Sequence, residues 1–407
     1  MGSLQIQPVL AALRRHRIAT IVIALEIALA CAVLCNACFL IVRRVQAMHV
    51  QSGVDEHALG TIKIEGFEGS QANDLNARVT AALRALPGVQ SVSSIGAVPF
   101  GEPGVIAGVT RDAAGQQFGG VVDFYVAGPG AAKAMGLRLL AGRMPAPDEY
   151  MPVTQIVPKE APILITHVLA EHLWPGENPL DKTIWSMDTH FRVIGVVDHL
   201  TIPQPGSGEE KDADWSIVVP AMPGPQFAGK YLLSASPEDL PRVMRDARIA
   251  ALKTAPDAVL DLEQSRTIDQ LRDTFFLSDR VMTGLLIAVI VALLGTTALG
   301  IVGLASFWVA QRRRQIGVRR ALGATRGDIL RYFQIENFLI VTIGIVAGMI
   351  LAYAINLVLM SIYELPRLPF GYLPIGAVAL WILGQLAVLA PALRAASVPP
   401  VAAIRSA

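Results

Sequence analysis

Four long apolar runs dominate this chain, and lipid is the environment that suits them. They extend from Ile18 to Val42, from about Val281 to Ala310, from about Ile335 to Met360 and from about Leu373 to Leu393. At about 1.5 Å rise per residue, each helix can cross a hydrocarbon layer of roughly 30 Å. No comparable run lies between Arg43 and Arg280. The composition agrees: 53% of residues are hydrophobic and only 16% are charged, whereas a soluble domain carries about 25% charged residues. The fold class expected is an α-helical membrane protein with four transmembrane helices and one large α+β domain between the first two.

Arg14, Arg15 and Arg17 precede the first run, as they would in a secretory signal. A signal's apolar core spans about 7–15 residues and ends at a small-residue cleavage site. This run is longer and ends at Arg43-Arg44, so a retained anchor is expected. The loop between the second and third runs holds Arg312, Arg313, Arg314, Arg319, Arg320, Arg326 and Arg331. The connection after the third run holds Arg367, and the C-terminal tail holds Arg394 and Arg405. Basic loops stay on the cytoplasmic side. The expected layout is a cytoplasmic tail over 1–17, helices over 18–42, 281–310, 335–360 and 373–393, and an outer domain over 43–280. A cytoplasmic loop covers 311–334, a short outer loop 361–372 and a cytoplasmic tail 394–407. Arg43 and Arg44 oppose the rule locally.

Polar residues inside lipid are costly. Glu26 and Asn36 are therefore expected to meet another helix of the bundle. Gly344, Gly348 and Ala352 recur every four residues in the third run, and Gly295, Leu299 and Gly303 come close to that in the second. Small residues in register let helix backbones approach, within one chain or across a dimer. Cys31, Cys35 and Cys38 share one helix face and are expected to be small packing residues rather than a disulfide framework or a metal site.

The outer domain reads as mixed α and β. Thr61–Gly66 is strand-like, Asp74–Leu86 is helix-like with Leu75, Val79, Ala82, Leu83 and Leu86 on one face, and Val89–Val98 is again strand-like. Pro87-Gly88 separates the last two. The same order returns in Tyr231–Ala235, Pro237–Thr254 and Ala258–Leu262, at a constant offset that places Ile62 on Tyr231 and Pro87 on Pro256. Two β-α-β units in one register predict a ferredoxin-like split sandwich from about 55–124 and 226–270. A β-rich insertion is expected over about 125–225, with strands at Val121–Val126, Pro162–Ile165 and Phe191–Val197.

Several chemistries are excluded. No G-x-x-x-x-G-K-[ST] loop is present, so this chain does not bind ATP by that route. His167, Glu171 and His172 miss the spacing of the zinc-protease motifs. No G-x-S-x-G elbow is present, and the basic residues lack interleaved aromatics, which argues against nucleic acid. No catalytic residues and no metal ligands are assigned.

The loop Gln311–Arg331 is the informative stretch. The second run is expected to continue as a basic helix to about Leu322 and to break at Gly323-Ala324. Thr325 and Asp328 can cap a new helix, in which Ile329, Leu330 and Phe333 lie on the bilayer while Arg326 and Arg331 meet lipid headgroups. Its residues Arg312, Ile316, Gly317, Val318, Arg319, Arg320, Ala321, Leu322, Gly323 and Ala324 resemble the cytoplasmic loop of the MacB/FtsX permease family, whose pattern is roughly R-x-x-E-I-G-[IV]-R-[RK]-A-L-G-A. Gln315 replaces the family's glutamate. The external runs Gly136–Arg143, Leu169–Leu180 and Arg192–Val197, with Pro391–Ala396 and Pro400–Arg405 near the C-terminus, are similar to that family as well.

The resemblance implies a non-catalytic permease subunit in a bacterial inner membrane, with a periplasmic outer domain. Two permease subunits, copies or paralogues, would pair with two ATPase subunits that hold ATP and magnesium. The loop, with Arg326, would dock on the ATPase and couple hydrolysis to motion of the second helix and outer domain. About 17 residues precede the first helix, so the ATPase is expected on a separate chain. Tripartite efflux or secretion, with a periplasmic adaptor and an outer-membrane channel, is the leading expectation. Lipoprotein extraction and FtsX-like regulation of cell-wall hydrolases are the alternatives.

Overall fold

The first apolar run forms one helix, α1 (Arg17–Met48), in a computed structural model that describes residues 17–153, 157–206, 213–222, 225–363 and 367–397. Arg14, Arg15, the run Gly208–Asp212, Pro400 and Arg405 lie outside the described residues. The helix passes through Arg43-Arg44, six residues beyond the expected end at Val42. Arginine is a good helix former, and the first breaker is Gly53 at φ 78°. The chain divides into a helical unit, Met1–Val45 with Asp279–Ala407, and a mixed unit, Gln46–Ser278.

In the mixed unit, β1 (Leu59–Glu65), α2 (Ala72–Arg84) and β2 (Val89–Ser94) form the first β-α-β element. The insertion follows: β3 (Val105–Thr110), β4 (Phe118–Ala127), α3 (Ala131–Ala134), β5 (Leu139–Gly142), β6 (Met151–Pro152), β7 (Glu160–Thr166), α4 (His167–Leu173), β8 (Thr183–Ser186), β9 (Thr189–Val197) and β10 (Ser216–Met222). The second element is β11 (Lys230–Ala235), α5 (Leu240–Thr254) and β12 (Val259–Leu260), and α6 (Ile268–Phe275) closes the unit.

The four strands of the two elements pair in the order β12-β1-β11-β2, antiparallel throughout, which is the split sandwich expected. Ile62 lies directly opposite Tyr231. The two residues related by the sequence offset are thus cross-strand partners, and the pseudo-two-fold axis passes between them. Leu75, Val79 and Leu83 of α2 and Val243, Met244, Ala247 and Ala251 of α5 cover one face of this sheet. Both helices therefore bury the stripe that their periodicity marks.

The insertion begins at Val105, about twenty residues before its expected start. Val105–Thr110 pairs with β4 and β8, so it belongs to the second sheet. Its strands pair in the order β4-β3-β8-β9-β7-β10, and β10 pairs back onto β4. The sheet thereby closes on itself, with β6 added beside β10 and β5 beside β9. Val122, Phe124, Ile163, Ile165, Phe191, Val193, Ile217 and Val219 form one buried core. On α4, Leu169, Ala170 and Leu173 are buried, while His167, Glu171 and His172 are exposed.

The helical unit continues with α7 (Leu277–Gln311), α8 (Arg313–Ala321), α9 (Arg326–Tyr363) and α10 (Tyr372–Ala396). Helices α1, α7, α9 and α10 are each long and apolar enough to cross a membrane. Arg44 pairs with Asp279 at the start of α7, which gives a partner to one of the two arginines that break the charge rule.

Candidate functional site

The site is built where α7 ends. The second helix does not run straight into the basic segment as expected: Arg312 leaves helical geometry at φ −98°, ψ 8°, and α8 starts anew at Arg313. Helix α8 closes in a left-handed Gly323 at φ 98°. The Ala324 amide donates to the Arg319 carbonyl at 3.0 Å and the Gly323 amide to Arg320 at 3.2 Å. This pair of bonds satisfies carbonyls that a helix end would otherwise leave orphaned. Thr325 then starts α9. Its hydroxyl accepts from the Asp328 amide at 3.2 Å, and the Asp328 carboxylate accepts from the Thr325 amide at 2.9 Å.

The hairpin has an inner and an outer side. On the inner side Ile316 packs with Ile329, Phe333, Ala392, Ala395 and Ala396. Ile329 and Phe333 therefore do not lie on the bilayer; α9 is one helix from Arg326 to Tyr363, and its first turns are held against α8 and α10. Gly317 is buried beside Ile316. Arg312 also turns inward: its guanidinium Nη1 donates to both carboxylate oxygens of Glu336, at 3.0 and 2.9 Å, and to the Tyr332 hydroxyl at 3.3 Å. Its guanidinium lies 5.6 Å from the Trp308 ring, and Arg319 sits 5.0 Å from Tyr332.

The outer side carries Arg313, Arg314, Gln315, Val318, Arg319, Ala321, Gly323 and Arg326, all exposed, with Arg320 and Ala324 half-buried. Leu322 stands at its apex, 83% exposed. The expected loop residues thus divide: Arg312, Ile316 and Gly317 build the hairpin, and Arg319, Ala321, Leu322 and Arg326 face out of it.

Glu336 and Asn337 were not singled out in the sequence, although they stand at the start of the third apolar run. Glu336 is 1% exposed, and Asn337 donates to the Gly384 carbonyl at 2.8 Å. The available signal was an acid inside an apolar run, which requires a partner.

Deeper in the bundle, Asn36 donates to the carbonyls of Ala32 at 3.0 Å and Ala352 at 3.1 Å, tying α1 to α9. Glu26 lies against Gly300 of α7, where a Cβ would come within 2.8 Å of its carboxylate. Gly344 packs on Ile27 and Gly348 on Cys31 and Ala28, so α9 approaches α1 at backbone contact distance. Cys35 packs against Gly376. Among the described residues, a Cβ added at Gly295 or Gly303 would meet nothing within 4 Å.

One acidic cluster lies elsewhere, in the mixed unit: Glu65, Glu102 and Asp261. Lys63 occupies its centre, with Nζ 2.5 Å from Glu65 and 3.1 Å from Asp261, and paired with Glu102 as well. Burial opposes the lysine's charge, but its bonds to Glu102, Glu65 and Asp261 outweigh that and hold its pKa above the ordinary value. The cluster's cation is its own lysine.

Residues 286–400 match the FtsX-like permease C-terminal family. The chain is 27% identical over 310 residues to a macrolide export ATP-binding/permease protein MacB 1 of Aeromonas hydrophila, covering 74% of this chain and 45% of that protein. It is 25% identical over 245 residues to the uncharacterized ABC transporter permease YknZ of Bacillus subtilis, covering 60% and 61%. The matched region thus spans about half the length of these relatives. Two solved structures are similar: the extracellular domain of YknZ from Gram-positive bacteria, at TM-score 0.33 and 13% identity over 49% of this chain and 99% of that one, and the periplasmic region of MacB from Actinobacillus actinomycetemcomitans, at TM-score 0.33 and 14% identity over 56% and 97%. The chain is thus similar to MacB and YknZ, and over residues 286–400 to the FtsX-like permease C-terminal family.

Proposed function

We propose that this chain is the permease subunit of an ABC transporter in a bacterial inner membrane, with both termini cytoplasmic and residues 46–278 periplasmic. A separate ATPase chain, holding ATP and magnesium, docks on the outer side of the α8 hairpin. A second permease copy or paralogue completes the membrane assembly, and lipid surrounds it. Hydrolysis moves the hairpin, α7 follows, and the periplasmic unit does work on an adaptor and an outer-membrane channel. The task is efflux or secretion of a drug, peptide or other periplasmic substrate.

One observation carries this reading: the hairpin combines a rigid inner side with an exposed basic surface capped by Leu322. A large apolar side chain at 83% exposure, on a hairpin whose exposed residues include Arg313, Arg314, Arg319 and Arg326, suits an acidic-rimmed apolar pocket on a partner. The inner ion pair makes the hairpin stiff enough to push. Replacing Leu322 and Arg319 together is expected to abolish co-purification with the partner ATPase while membrane insertion stays normal. Undiminished ATPase binding by that variant would remove the hairpin from the interface.

A further inference from the structure

Arg272 joins the two segments through which the mixed unit connects to α1 and α7. Arg272 projects from α6, four residues before Phe276 and five before Leu277, where α7 starts. Its Nη2 donates to the Met48 carbonyl at 3.0 Å and also to the Val50 carbonyl, and its Nη1 donates to Glu56. Met48 is the last helical residue of α1. The last carbonyls of a helix have no partner within it, and a cation there also meets the negative end of the helix dipole. Arg272 thus caps the helix of the first span from the helix that leads into the second.

The clasp is held from several sides. The guanidinium lies 4.8 Å from the Phe100 ring and 5.9 Å from the Phe276 ring. The Ser52 hydroxyl donates to Glu56 at 2.6 Å, which fixes the carboxylate. The Thr201 amide donates to the Ser52 carbonyl at 3.1 Å. Gly53 at φ 78° lets the chain touch His199, where a Cβ would fall 2.1 Å from the carbonyl oxygen. The Arg272 side chain is 19% exposed and that of Glu56 15%, so the pair is shielded from solvent screening. Within the helical unit, the Arg44–Asp279 pair makes a separate tie between the same two helices.

We infer that Arg272 is a positioning residue, a mechanical clasp that makes the outer end of the first span and the segment entering the second move as one body. A push delivered along α7 then reaches both ends of the domain instead of one. The clasp itself stands on geometry; only its use in transport rests on the permease reading above.

Spin labels at Gln51→Cys and Ser278→Cys, in a full chain whose three native cysteines are alanine, test it by distance measurement. A single narrow distribution is expected with Arg272 present. Arg272→Gln is expected to broaden it at least twofold, and Arg272→Lys to restore part of the narrowing, since lysine can still reach a carbonyl. An unchanged width in Arg272→Gln overturns the clasp. Should that variant fail to fold, Glu56→Gln decides: broadening supports the clasp and unchanged width refutes it. A second arm separates the clasp from its use. Arg272→Gln is expected to bind the ATPase normally but to lose coupled transport. Broadening with transport intact would leave the clasp standing and refute its role in coupling.

Discussion

Arg312 and Glu336 meet where unpaired charge is expensive. Their two bonds at 2.9 and 3.0 Å offset desolvation that neither could bear alone. Removing one partner leaves the other buried and uncompensated, at a cost of about 3–5 kcal/mol, whereas replacing both by apolar residues of similar size restores most of it. Arg312→Ala or Glu336→Ala is therefore expected to lower the melting temperature of the detergent-solubilised chain, and Arg312→Met with Glu336→Leu to recover it. A double variant as unstable as the single ones would show that the two charges are not coupled. At this scale the sequence was partly legible. Gly323 and Thr325 announce the turn and the cap, because both act through local backbone geometry. The inward turn of Arg312 is a tertiary event: an arginine in a basic loop looks like its neighbours until the partner on α9 is known.

Helix pairing follows the small residues. At Gly348 an added Cβ would lie 2.5 Å from the Cys31 Cβ and 2.7 Å from the Ala28 carbonyl oxygen. Gly348→Val must separate α1 from α9 and is expected to destabilise the bundle by about 1–3 kcal/mol, as overpacking does. A Cβ at Gly303 would meet nothing within 4 Å among the described residues, and Gly303→Val is expected to leave the monomer's thermal unfolding unchanged. Equal loss in both variants would contradict this assignment of the packing face. The spacing of Gly344, Gly348 and Ala352 pointed to a contact because periodicity encodes a face. It could not say which helix answers it, and among the described residues nothing lies within 4 Å of a Cβ placed at Gly295 or Gly303 of α7. Element existence was readable from apolar runs and caps, whereas the ends were less so. Helix α9 starts nine residues before its apolar run, since Arg326–Gln334 is helical by capping and by burial of Ile329 and Phe333 rather than by hydropathy. The start of the insertion was misplaced because Val105–Thr110 alternates like any strand, and only pairing assigns it to a sheet.

At the scale of the molecule, the proposed function joins a basic hairpin that would receive a push to a clasped domain that would deliver it. Class and the number of long apolar helices were legible because four apolar runs leave few alternatives. The split sandwich was legible through its repeat, since both β-α-β elements bury the same helix face. The stiffening contacts were not, because Arg312–Glu336 depends on how α8 folds back on α9 and Arg272–Met48 joins residues 224 apart in sequence. The most direct test places a photo-crosslinking benzophenone side chain at Leu322 and, in parallel, at Gly303, in native membranes of the source cells. The account predicts an adduct from position 322 with a protein whose mass-spectrometric sequence contains a nucleotide-binding P-loop, and none from position 303. No such adduct from 322, or the same adduct from both positions, would contradict it.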